Sequence, residues 1–343
     1  MNLKELARRL DLSTTTVSRA LGGYSEVNEA TRSRVIEAAA LYNYKPNNRA
    51  RYLATGRAMA VAEVIPLSHR SEIVNPIYSD FMVGAGEVFS QNGYDITLSI
   101  VADEGEEDTY RELAGQRPAD GVILHSPKVD DTRIDLLRTL GLPFVVHGRA
   151  GSDADHDSYT WVDVNNHNSF LRATNLLLDL GHSAIALVNG DETVNFAHRR
   201  RLGFQDALAG RSLSANPDFM VSGEMTLGAG YRAAGCLLAR TPRPTAILSS
   251  SVMLTLGIER AAVEAGLTLG RDLSLVTFDD KLSYADNGGD TPYFTAVGSS
   301  VREAGVRTAQ LLLHRIETPA APHQNTLLES QLVIGRSTGP APR

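Results

Sequence analysis

The stretch LKELARRLDLSTTTVSRALGG, residues 3–23, decides how the first part of the chain folds. Its leucines and alanines recur at helical spacing up to Leu10, which predicts a first helix with one apolar face. Ser13 follows and can cap a second helix, because its hydroxyl accepts an unpaired backbone amide of the next turn. The second helix is expected over residues 14–21 and ends at a pair of glycines.

The second helix has two faces of opposite character. Val17, Ala20 and Leu21 point inward, while hydroxyl groups and an arginine remain outside. β-branched threonines are poor choices for a helix core, because they lose rotamer freedom and their hydroxyls compete with the backbone. The polar face therefore predicts contact with DNA, the alternative being a plain three-helix cap with its hydroxyls in water. The expected contact residues are Ser13, Thr14, Thr15, Thr16, Ser18 and Arg19.

A third helix, over about residues 28–41, is expected to bury Val35, Ala38, Ala39 and Tyr42. Two short helices joined by a tight turn, the second polar at its N-terminal end, indicate a helix-turn-helix whose second helix enters the major groove. There, threonine reads a base edge or a thymine methyl, and arginine reaches guanine or a phosphate.

The charge of the chain is unevenly distributed. The net charge is −7 over 343 residues, but residues 1–57 hold ten Lys or Arg against five Asp or Glu and so carry +5. The remaining residues therefore carry −12. A small basic head on a large acidic body suggests that a nucleic-acid contact is confined to the head, although a chance local surplus of cations gives the same count.

Composition and hydropathy limit the class of protein. One cysteine, Cys236, allows no internal disulfide, and apolar residues make up 43% of the chain, enough for a sizeable core. The charged first residues do not resemble a signal peptide, and no apolar run approaches the roughly 18 residues of a membrane span. We expect a cytoplasmic protein with no membrane contact, no cofactor and no metal.

Two motifs in the head resemble those of the LacI/GalR family of bacterial transcription regulators. The run S-x-x-T-V-S-R-A-L begins at Ser13, and the run N-Y-x-P-N-x-x-A-x-x-L extends from Asn43 to Leu53. Each run alone is suggestive, and both at this spacing are highly specific. The resemblance continues more weakly towards the C-terminus and so covers nearly the whole chain.

The resemblance implies that residues 46–58 form a hinge helix and linker. Two turns of helix are too short to be stable alone in water. The resemblance implies that the segment folds on operator DNA beside its dimer mate in the minor groove. Leu53 matches the family leucine that wedges between base pairs and bends the duplex. The alternative is an ordinary interdomain linker. The residues expected to contact DNA here are Asn47, Arg49, Ala50 and Leu53.

The body alternates apolar strands with helices from about residue 60. Near-continuous apolar strands separated by helices indicate parallel sheets that are covered on both faces. The sequence thus predicts a small all-α helix-turn-helix head and an α/β body of two doubly wound parallel-sheet lobes, which the resemblance implies to be periplasmic-binding-protein-like. The expected domains are the head at 1–45, the hinge at 46–58 and an effector-binding and dimerisation domain at 59–343.

The resemblance also implies that the chain crosses between the lobes near residues 160, 291 and 322. A small effector would bind between the lobes, at the carboxyl ends of the strands. Lobe 1 would take about 59–160 and 292–322, and lobe 2 about 161–291 and 323–343.

Several strand ends supply candidates for effector binding. HRRRLGF resembles the family motif R-x-x-G-F/W and puts Arg200 at the effector-bonding position, where a planar guanidinium suits sugar hydroxyls or a carboxylate. VTFDD resembles V-x-G-Y/F-D-D and puts Asp279 at the effector aspartate, which without the resemblance would equally be a loop cap. Two polar anchors of the family are absent, and His147 and Ser251 would replace them. The expected lining residues are Tyr78, His125, His147, Arg149, Trp161, Arg200, Met225, Ser251, Phe278 and Asp279, although a lone tryptophan also suits the core.

Enzyme motifs are sparse. GAGYRA, residues 228–233, matches the dinucleotide fingerprint G-x-G-x-x-A, but no acidic residue follows about 20 residues later at a strand end. Asp279 and Asp280 are neighbours on a strand and point to opposite faces, which disfavours a shared acid–base role. The chain lacks H-E-x-x-H, C-x-x-C and P-loop patterns, so we expect no catalytic residue and no enzyme.

We therefore expect a ligand-responsive homodimer that binds a palindromic operator and represses carbohydrate uptake or catabolism genes. We expect a dimer because one short recognition helix makes few base contacts, and two helices on a palindrome make twice as many. The preferred effector is an α-glucoside, because PFVVHGR and the head are similar to α-glucoside-type regulators; a purine or a sugar phosphate is the alternative ligand. The effector would act by closing the lobes and changing the spacing of the heads. The alternative functions are a sugar-binding protein without a DNA role and an NAD-dependent oxidoreductase.

Overall fold

The computed structural model describes residues 1–22, 24, 26–44, 57–67, 75–151, 158–283, 287–288 and 291–342. The chain divides into two units, one of residues 1–59 with 117–120 and one of residues 60–116 with 121–343. The predicted hinge residues Asn47, Arg49, Ala50 and Leu53 lie outside the described residues, so their DNA contacts stay a prediction.

The first unit contains three helices: α1 (Leu3–Leu10), α2 (Thr14–Leu21) and α3 (Glu29–Leu41). Ser13 caps α2 as predicted, since its Oγ accepts the backbone N–H of Thr16 at 3.0 Å. The three helices share one apolar core, in which Leu6, Val17 and Val35 are fully buried. Each helix therefore contributes aliphatic side chains to this core, and the exposed hydroxyl groups of α2 lie outside it.

The predicted burial in α3 is correct for Val35, Ala38 and Ala39 but wrong for Tyr42, which is 38% exposed. Tyr42 follows the last helical residue, and its backbone has left the helical conformation. Its ring lies against Arg9, whose guanidinium carbon is 4.5 Å from the ring centroid. Tyr42 therefore makes a cation–π contact at the surface instead of filling the core.

The second unit alternates strands and helices along most of its length. Its main elements in chain order are β1 (Ala60–Pro66), α4 (Pro76–Gln91), β2 (Asp95–Val101), α5 (Glu106–Gln116), β3 (Gly121–His125), α6 (Thr132–Leu140), β4 (Phe144–His147), β5 (Trp161–Val164), α7 (Asn166–Asp179), β6 (Ile185–Asn189), α8 (Asn195–Ala209), β7 (Met220–Ser222), α9 (Leu227–Leu238), β8 (Ala246–Ser249), α10 (Val252–Glu264), β9 (Ser274–Asp279), β10 (Thr295–Gly298), α11 (Val301–Glu317), β11 (Asn325–Leu328) and β12 (Gln331–Val333).

The strands form two sheets, each the centre of one lobe. The first sheet has the order β11-β5-β4-β3-β1-β2 and is parallel throughout. The second has the order β12-β10-β9-β8-β6-β7 and is parallel except for β12, which runs antiparallel to β10. Helix pairs α4–α11 and α5–α6 pack beside the first sheet, and α7–α8 and α9–α10 beside the second. The predicted doubly wound α/β body is therefore confirmed, and burial on both faces explains why the central strands are apolar throughout.

Sheet membership places the crossings between the lobes a few residues later than predicted. β5 pairs with β4 and β11 in the first sheet, and β10 pairs with β9 in the second. The chain therefore crosses after residues 164, 298 and 328 rather than near 160, 291 and 322. Each crossing follows the carboxyl end of a strand, because backbone hydrogen bonds hold that strand in its sheet up to its last paired residue.

The fingerprint-like run GAGYRA lies within the helix α9. A Cβ on Gly230 would lie 2.1 Å from the carbonyl oxygen of Leu254, and a Cβ on Gly257 would lie 2.0 Å from that of Leu227. The two glycines therefore let α9 and α10 approach backbone to backbone. Close packing of α9 against α10 therefore explains why residue 230 is glycine, and a phosphate-binding role is not needed to explain it.

Replacing Gly230 with alanine should lower the free energy of unfolding by about 2 kcal/mol, because the new methyl group overlaps a backbone carbonyl. Gly235→Ala, in the same helix, is the matched control. No atom lies within 4 Å of its Cβ position, so removing this glycine should stabilise the helix by up to about 1 kcal/mol. Urea unfolding measures both variants, and equal responses would contradict the close approach of α9 and α10.

Candidate functional site

A cleft of about 570 Å³ lies between the two lobes. The carboxyl ends of β3, β4, β5 and β9 border it, which is where parallel sheets place ligands. Six of the residues predicted from the sequence line this cleft: Tyr78, His125, His147, Arg200, Met225 and Phe278.

Arg149 and Trp161 do not line the cleft, contrary to the prediction. Both are buried behind it, where the guanidinium carbon of Arg149 lies 5.0 Å from the centroid of the Trp161 ring. Arg149 Nε donates a hydrogen bond to Asp163 Oδ2 at 2.7 Å. Asp163 itself lines the cleft, so Arg149 contributes to the site by holding this carboxylate.

Ser251 and Asp279 were each predicted one residue away from the group that lines the cleft. Ser251 is buried and caps α10, where its Oγ accepts the backbone N–H of Leu254. Asp279 Oδ1 accepts the backbone N–H of Lys281 at 2.8 Å. The lining residues at these strand ends are Ser250 and Asp280.

Other lining residues were missed by the sequence analysis. Asp163 is the last residue but one of the short strand WVDV, and its position near a strand end is the signal that could have identified it. Alternation along a strand correctly separates the two neighbouring aspartates at the end of β9 but does not say which one faces the ligand. The missed residues that matter below are Asp163, Asn166, Phe196, Glu224, Ser250 and Asp280.

Arg200 is the buried cation of the cleft wall, with 6% of its surface exposed. Its Nε donates to Asn166 Oδ1 at 2.8 Å, and its Nη1 donates to the carbonyl oxygen of Ser250 at 2.6 Å. The guanidinium carbon lies 3.8 Å from the ring centroid of Phe278. Burial lowers the pKa of Arg200 to about 10, against the opposing effect of nearby carboxylates, chiefly Asp280.

Asn166 connects this arginine to the other lobe. Its Nδ2 donates to Asp163 Oδ1 at 3.2 Å, while its Oδ1 accepts from Arg200 Nε. Burial raises the pKa of Asp163, and the adjacent Arg149 opposes that shift. Because Asn166 follows the first crossing, one chain of hydrogen bonds runs from the first lobe to the second beneath the cleft.

A second polar cluster lies in the first lobe. Glu63 on β1 is fully buried, and the hydroxyl of Tyr78 donates to its Oε2. His125 Nε2 lies 3.3 Å from the same oxygen, and His125 Nδ1 lies 3.2 Å from His147 Nδ1. Burial, and secondarily His125, lowers the pKa of His147 to about 3, so His147 is neutral at physiological pH.

The polar face of α2 is exposed on the first unit. Thr16 is half-buried, with its Oγ1 2.8 Å from Ser13 Oγ. Arg19 Nη1 pairs with Glu26 Oε2 at 2.6 Å, and both side chains are more than half exposed. The exposed members of the predicted set are Ser13, Thr14, Thr15, Ser18 and Arg19.

A nucleophile motif, metal-binding clusters and membrane-spanning helices are the other features that could indicate a function in the described part of the chain. The run GRSTG, residues 335–339, fits the pattern G-x-S-x-G, but Ser337 is buried and its Oγ lies between the N–H of Thr295 and the carbonyl of Leu275. In the described ranges, no three or more His, Cys, Asp or Glu side chains are grouped to hold a metal ion. No helix in those ranges is both long and apolar enough for a bilayer.

Two family models match the chain. The model of bacterial regulatory proteins, lacI family, matches residues 2–47, and that of the periplasmic binding protein-like domain matches residues 174–338. The HTH-type transcriptional regulator AglR of Rhizobium meliloti (strain 1021) is 41% identical over 344 residues, which cover 100% of this chain and 95% of AglR. The HTH-type transcriptional regulator RafR of Escherichia coli is 34% identical, with 81% of this chain and 82% of RafR covered.

Solved structures agree with these matches. The complex of the transcriptional regulator CelR with cellobiose is 26% identical and has a TM-score of 0.72 over 98% of this chain and 99% of that chain. The lac repressor dimer bound to operator and the anti-inducer ONPF has a TM-score of 0.82 over 99% of each chain, and its 24% identity supports the fold alone. A helix-turn-helix unit joined to a two-lobed body with a cleft defines a ligand-sensing transcriptional regulator. The chain belongs to the lacI family of bacterial regulatory proteins.

The raised pKa of Asp280 should be visible in how the stability of the protein depends on pH. Burial raises its pKa to about 7, while Arg200 opposes and Asp279 adds to the shift. The ordinary value is 3.8, so the folded protein binds more protons than the unfolded chain between the two values, and its stability falls as pH rises through that window.

Asp280→Asn removes this negative contribution, so the slope of the free energy of unfolding against pH should be more positive between about 4 and 7 than in the wild type. Urea unfolding across that range measures the slope. Asp135→Asn, at an exposed carboxylate on α6, is the control and should keep the wild-type slope. An Asp280→Asn slope equal to that of the wild type would show that Asp280 titrates normally.

Proposed function

We propose that this chain represses genes for carbohydrate uptake or catabolism, as a cytoplasmic homodimer on a palindromic operator, and that a sugar in the cleft controls it without any catalytic step. One observation carries the proposal: a single chain holds both an exposed hydroxyl-bearing helix on a basic unit and a cleft walled by a buried arginine and carboxylates. The relatives that share this organisation over the full chain are named as transcriptional regulators.

The DNA-binding part of the proposal rests on α2. A helix whose N-terminal turn exposes threonine and serine hydroxyls and whose last turn carries Arg19 suits base edges and phosphates in the major groove. The pair between Arg19 and Glu26 is exposed, so it costs little to exchange for a DNA contact. Net positive charge on residues 1–57 adds non-specific attraction to the duplex.

The homodimer is supported by apolar surface on the first lobe. The edge strand β2 exposes Leu98 and Ile100, at 40% and 54%, and Val83 on the adjacent α4 is 47% exposed. Grouped apolar side chains on an edge strand and its neighbouring helix are a common basis of a self-complementary interface. Two copies joined there would present two reading helices to two operator half-sites.

The sugar is supported by the polarity of the cleft. Carboxylates accept from hydroxyls, the guanidinium of Arg200 donates to them, and the half-buried ring of Phe196 offers an apolar face for the C–H side of a sugar. Four carboxylates against one arginine line the cleft within the described residues, which disfavours a sugar phosphate: Asp163, Asp191, Glu224 and Asp280. A neutral oligosaccharide fits this balance, and we prefer an α-glucoside because of the resemblance noted in the sequence.

Arg19→Ala should weaken binding to the selected operator by about tenfold to a hundredfold, the range expected for loss of one base contact. The operator is obtained by selection from random duplexes with the full-length protein, and fluorescence anisotropy measures affinity at several salt concentrations. Arg138→Ala, at an exposed arginine on α6, is the control and should bind like the wild type. Unchanged operator affinity in Arg19→Ala would contradict the proposed reading face.

Arg200→Lys should reduce the affinity for maltose by about two orders of magnitude, because an ammonium cannot make the forked bonds to Asn166 and Ser250 and still face the ligand. Operator affinity without sugar should stay within about threefold of wild type, which shows that the variant is folded. Isothermal titration and operator anisotropy measure the two properties. Arg211→Lys, at an exposed arginine of the same lobe, should leave both unchanged.

A maltose response that persists in Arg200→Lys would remove Arg200 from the effector site. Loss of maltose binding together with operator binding would instead indicate a folding defect, which urea unfolding of the variant tests directly. A wild-type protein that binds its operator but none of a panel of α-glucosides would contradict the proposed effector class.

A further inference from the structure

We propose that Glu63 fixes His147 as a hydrogen-bond acceptor towards the cleft, so that the ligand group placed against His147 is a donor such as a sugar hydroxyl. In this proposal His147 determines specificity, and Glu63, which does not line the cleft, is a positioning residue. The inference rests on the proposed sugar-binding function and states what one end of the cleft requires of the ligand.

Glu63 is unusual because it is a fully buried carboxylate in the middle of an apolar strand. Burying such a group is costly unless hydrogen bonds satisfy its oxygens. The hydroxyl of Tyr78 donates to Oε2, and His125 Nε2 lies 3.3 Å from that oxygen. His125 Nε2 is buried and has no partner within hydrogen-bond geometry among the described residues, so its contact with the carboxylate oxygen of Glu63 is electrostatic. Glu63 therefore accepts from Tyr78, and its negative charge beside His125 Nε2 favours the tautomer that carries the hydrogen on that nitrogen.

The tautomer of His125 then determines the direction of the hydrogen bond between His125 and His147. A neutral imidazole has one N–H and one lone pair. With its N–H on Nε2 facing Glu63, His125 has its lone pair on Nδ1. His147 Nδ1, which lies 3.2 Å from that atom, must supply the hydrogen, so the lone pair of His147 is on Nε2. A doubly protonated His125 would reverse this order, and the experiment below detects that state.

The surroundings of His147 leave Nε2 for the ligand. Phe81 stacks on one face of the ring, with centroids 4.4 Å apart and planes 29° from parallel, and His125 takes Nδ1. His147 lines the cleft at the end of β4. Nε2 is thus the polar atom that the ring presents there, and it accepts from a hydroxyl or amine but not from an ether or carboxylate oxygen.

Selective ¹⁵N-histidine labelling of the full-length protein tests the proposal, because the ¹⁵N shift of each ring nitrogen reports its protonation. His147→Gln assigns the signals. In the wild type without sugar, Nε2 of His147 should be unprotonated. Glu63→Met keeps the side-chain length but removes the acceptor, so this signal should move towards the protonated value, and the affinity for maltose should fall about tenfold.

Glu63→Gln is the matched control and separates the acceptor from mere packing. Its amide oxygen can accept from Tyr78 and His125 in place of Oε2, while its amino group takes the position of Oε1, which has no partner within the described residues. The His147 signals and the affinity for maltose should therefore stay at wild-type values.

A protonated His147 Nε2 in the wild type overturns the proposal, as does equal behaviour of Glu63→Met and Glu63→Gln. Retention of full maltose affinity in Glu63→Met, despite an altered His147 signal, also overturns it. If the wild type binds no α-glucoside, the proposed effector class fails, while the nitrogen signals still decide the polarity of His147.

Discussion

The cleft depends on one buried cation, the guanidinium of Arg200. A buried charge is tolerated only where hydrogen bonds and an opposite charge compensate for lost hydration. Here Asn166 and the carbonyl of Ser250 take its donors, the ring of Phe278 covers its face, and Asp280 balances its charge. These partners come from α7 and from the ends of β8 and β9, so satisfying one side chain fixes the positions of these elements relative to α8.

The same constraint links the two lobes. Asn166 receives the hydrogen bond of Arg200 and donates to Asp163, which the first lobe holds through Arg149. The lobes also meet where Asp80 accepts two hydrogen bonds from Ser283 and where the backbone N–H of Val129 donates to the carbonyl of Thr193. A ligand that bonds to Arg200 or Asp163 thus acts on groups that already join the lobes. Such a ligand shifts the equilibrium between two arrangements of the lobes only by the difference between its affinities for those arrangements.

How much the sequence could predict depends on whether the signal was local. The capping by Ser13 and the two faces of α2 were correctly predicted, because helix periodicity and caps are read from residues close in sequence. The burial of Tyr42 was wrong because the residue lies just past the end of its helix. At the end of β9 the resemblance located the right pair of aspartates, yet only the folded strand shows that Asp280 is the one that lines the cleft.

The cluster around Glu63 could not be predicted, because it exists only through strand order. β1 lies beside β3, and β3 beside β4, so Glu63, His125 and His147 become neighbours across the sheet although they are distant in sequence. Without that order, each is a lone polar residue in an apolar strand, for which satisfied burial is the simplest explanation.

The cleft contains two kinds of hydrogen-bond acceptor, carboxylates and a neutral histidine, and the difference between them limits the ligand. Asp163 and Asp280 are carboxylates that have to be stabilised by Arg149 and Arg200. A third anion beside them would raise the electrostatic cost again, since like charges disfavour each other's ionised form. In the proposed scheme, the charge of Glu63 stays buried away from the cleft. The neutral rings of His125 and His147 lie between Glu63 and the ligand, and their tautomers determine that the ligand must supply a hydrogen-bond donor. His147 then offers an acceptor without adding charge, an arrangement suited to a neutral ligand rich in hydroxyl groups.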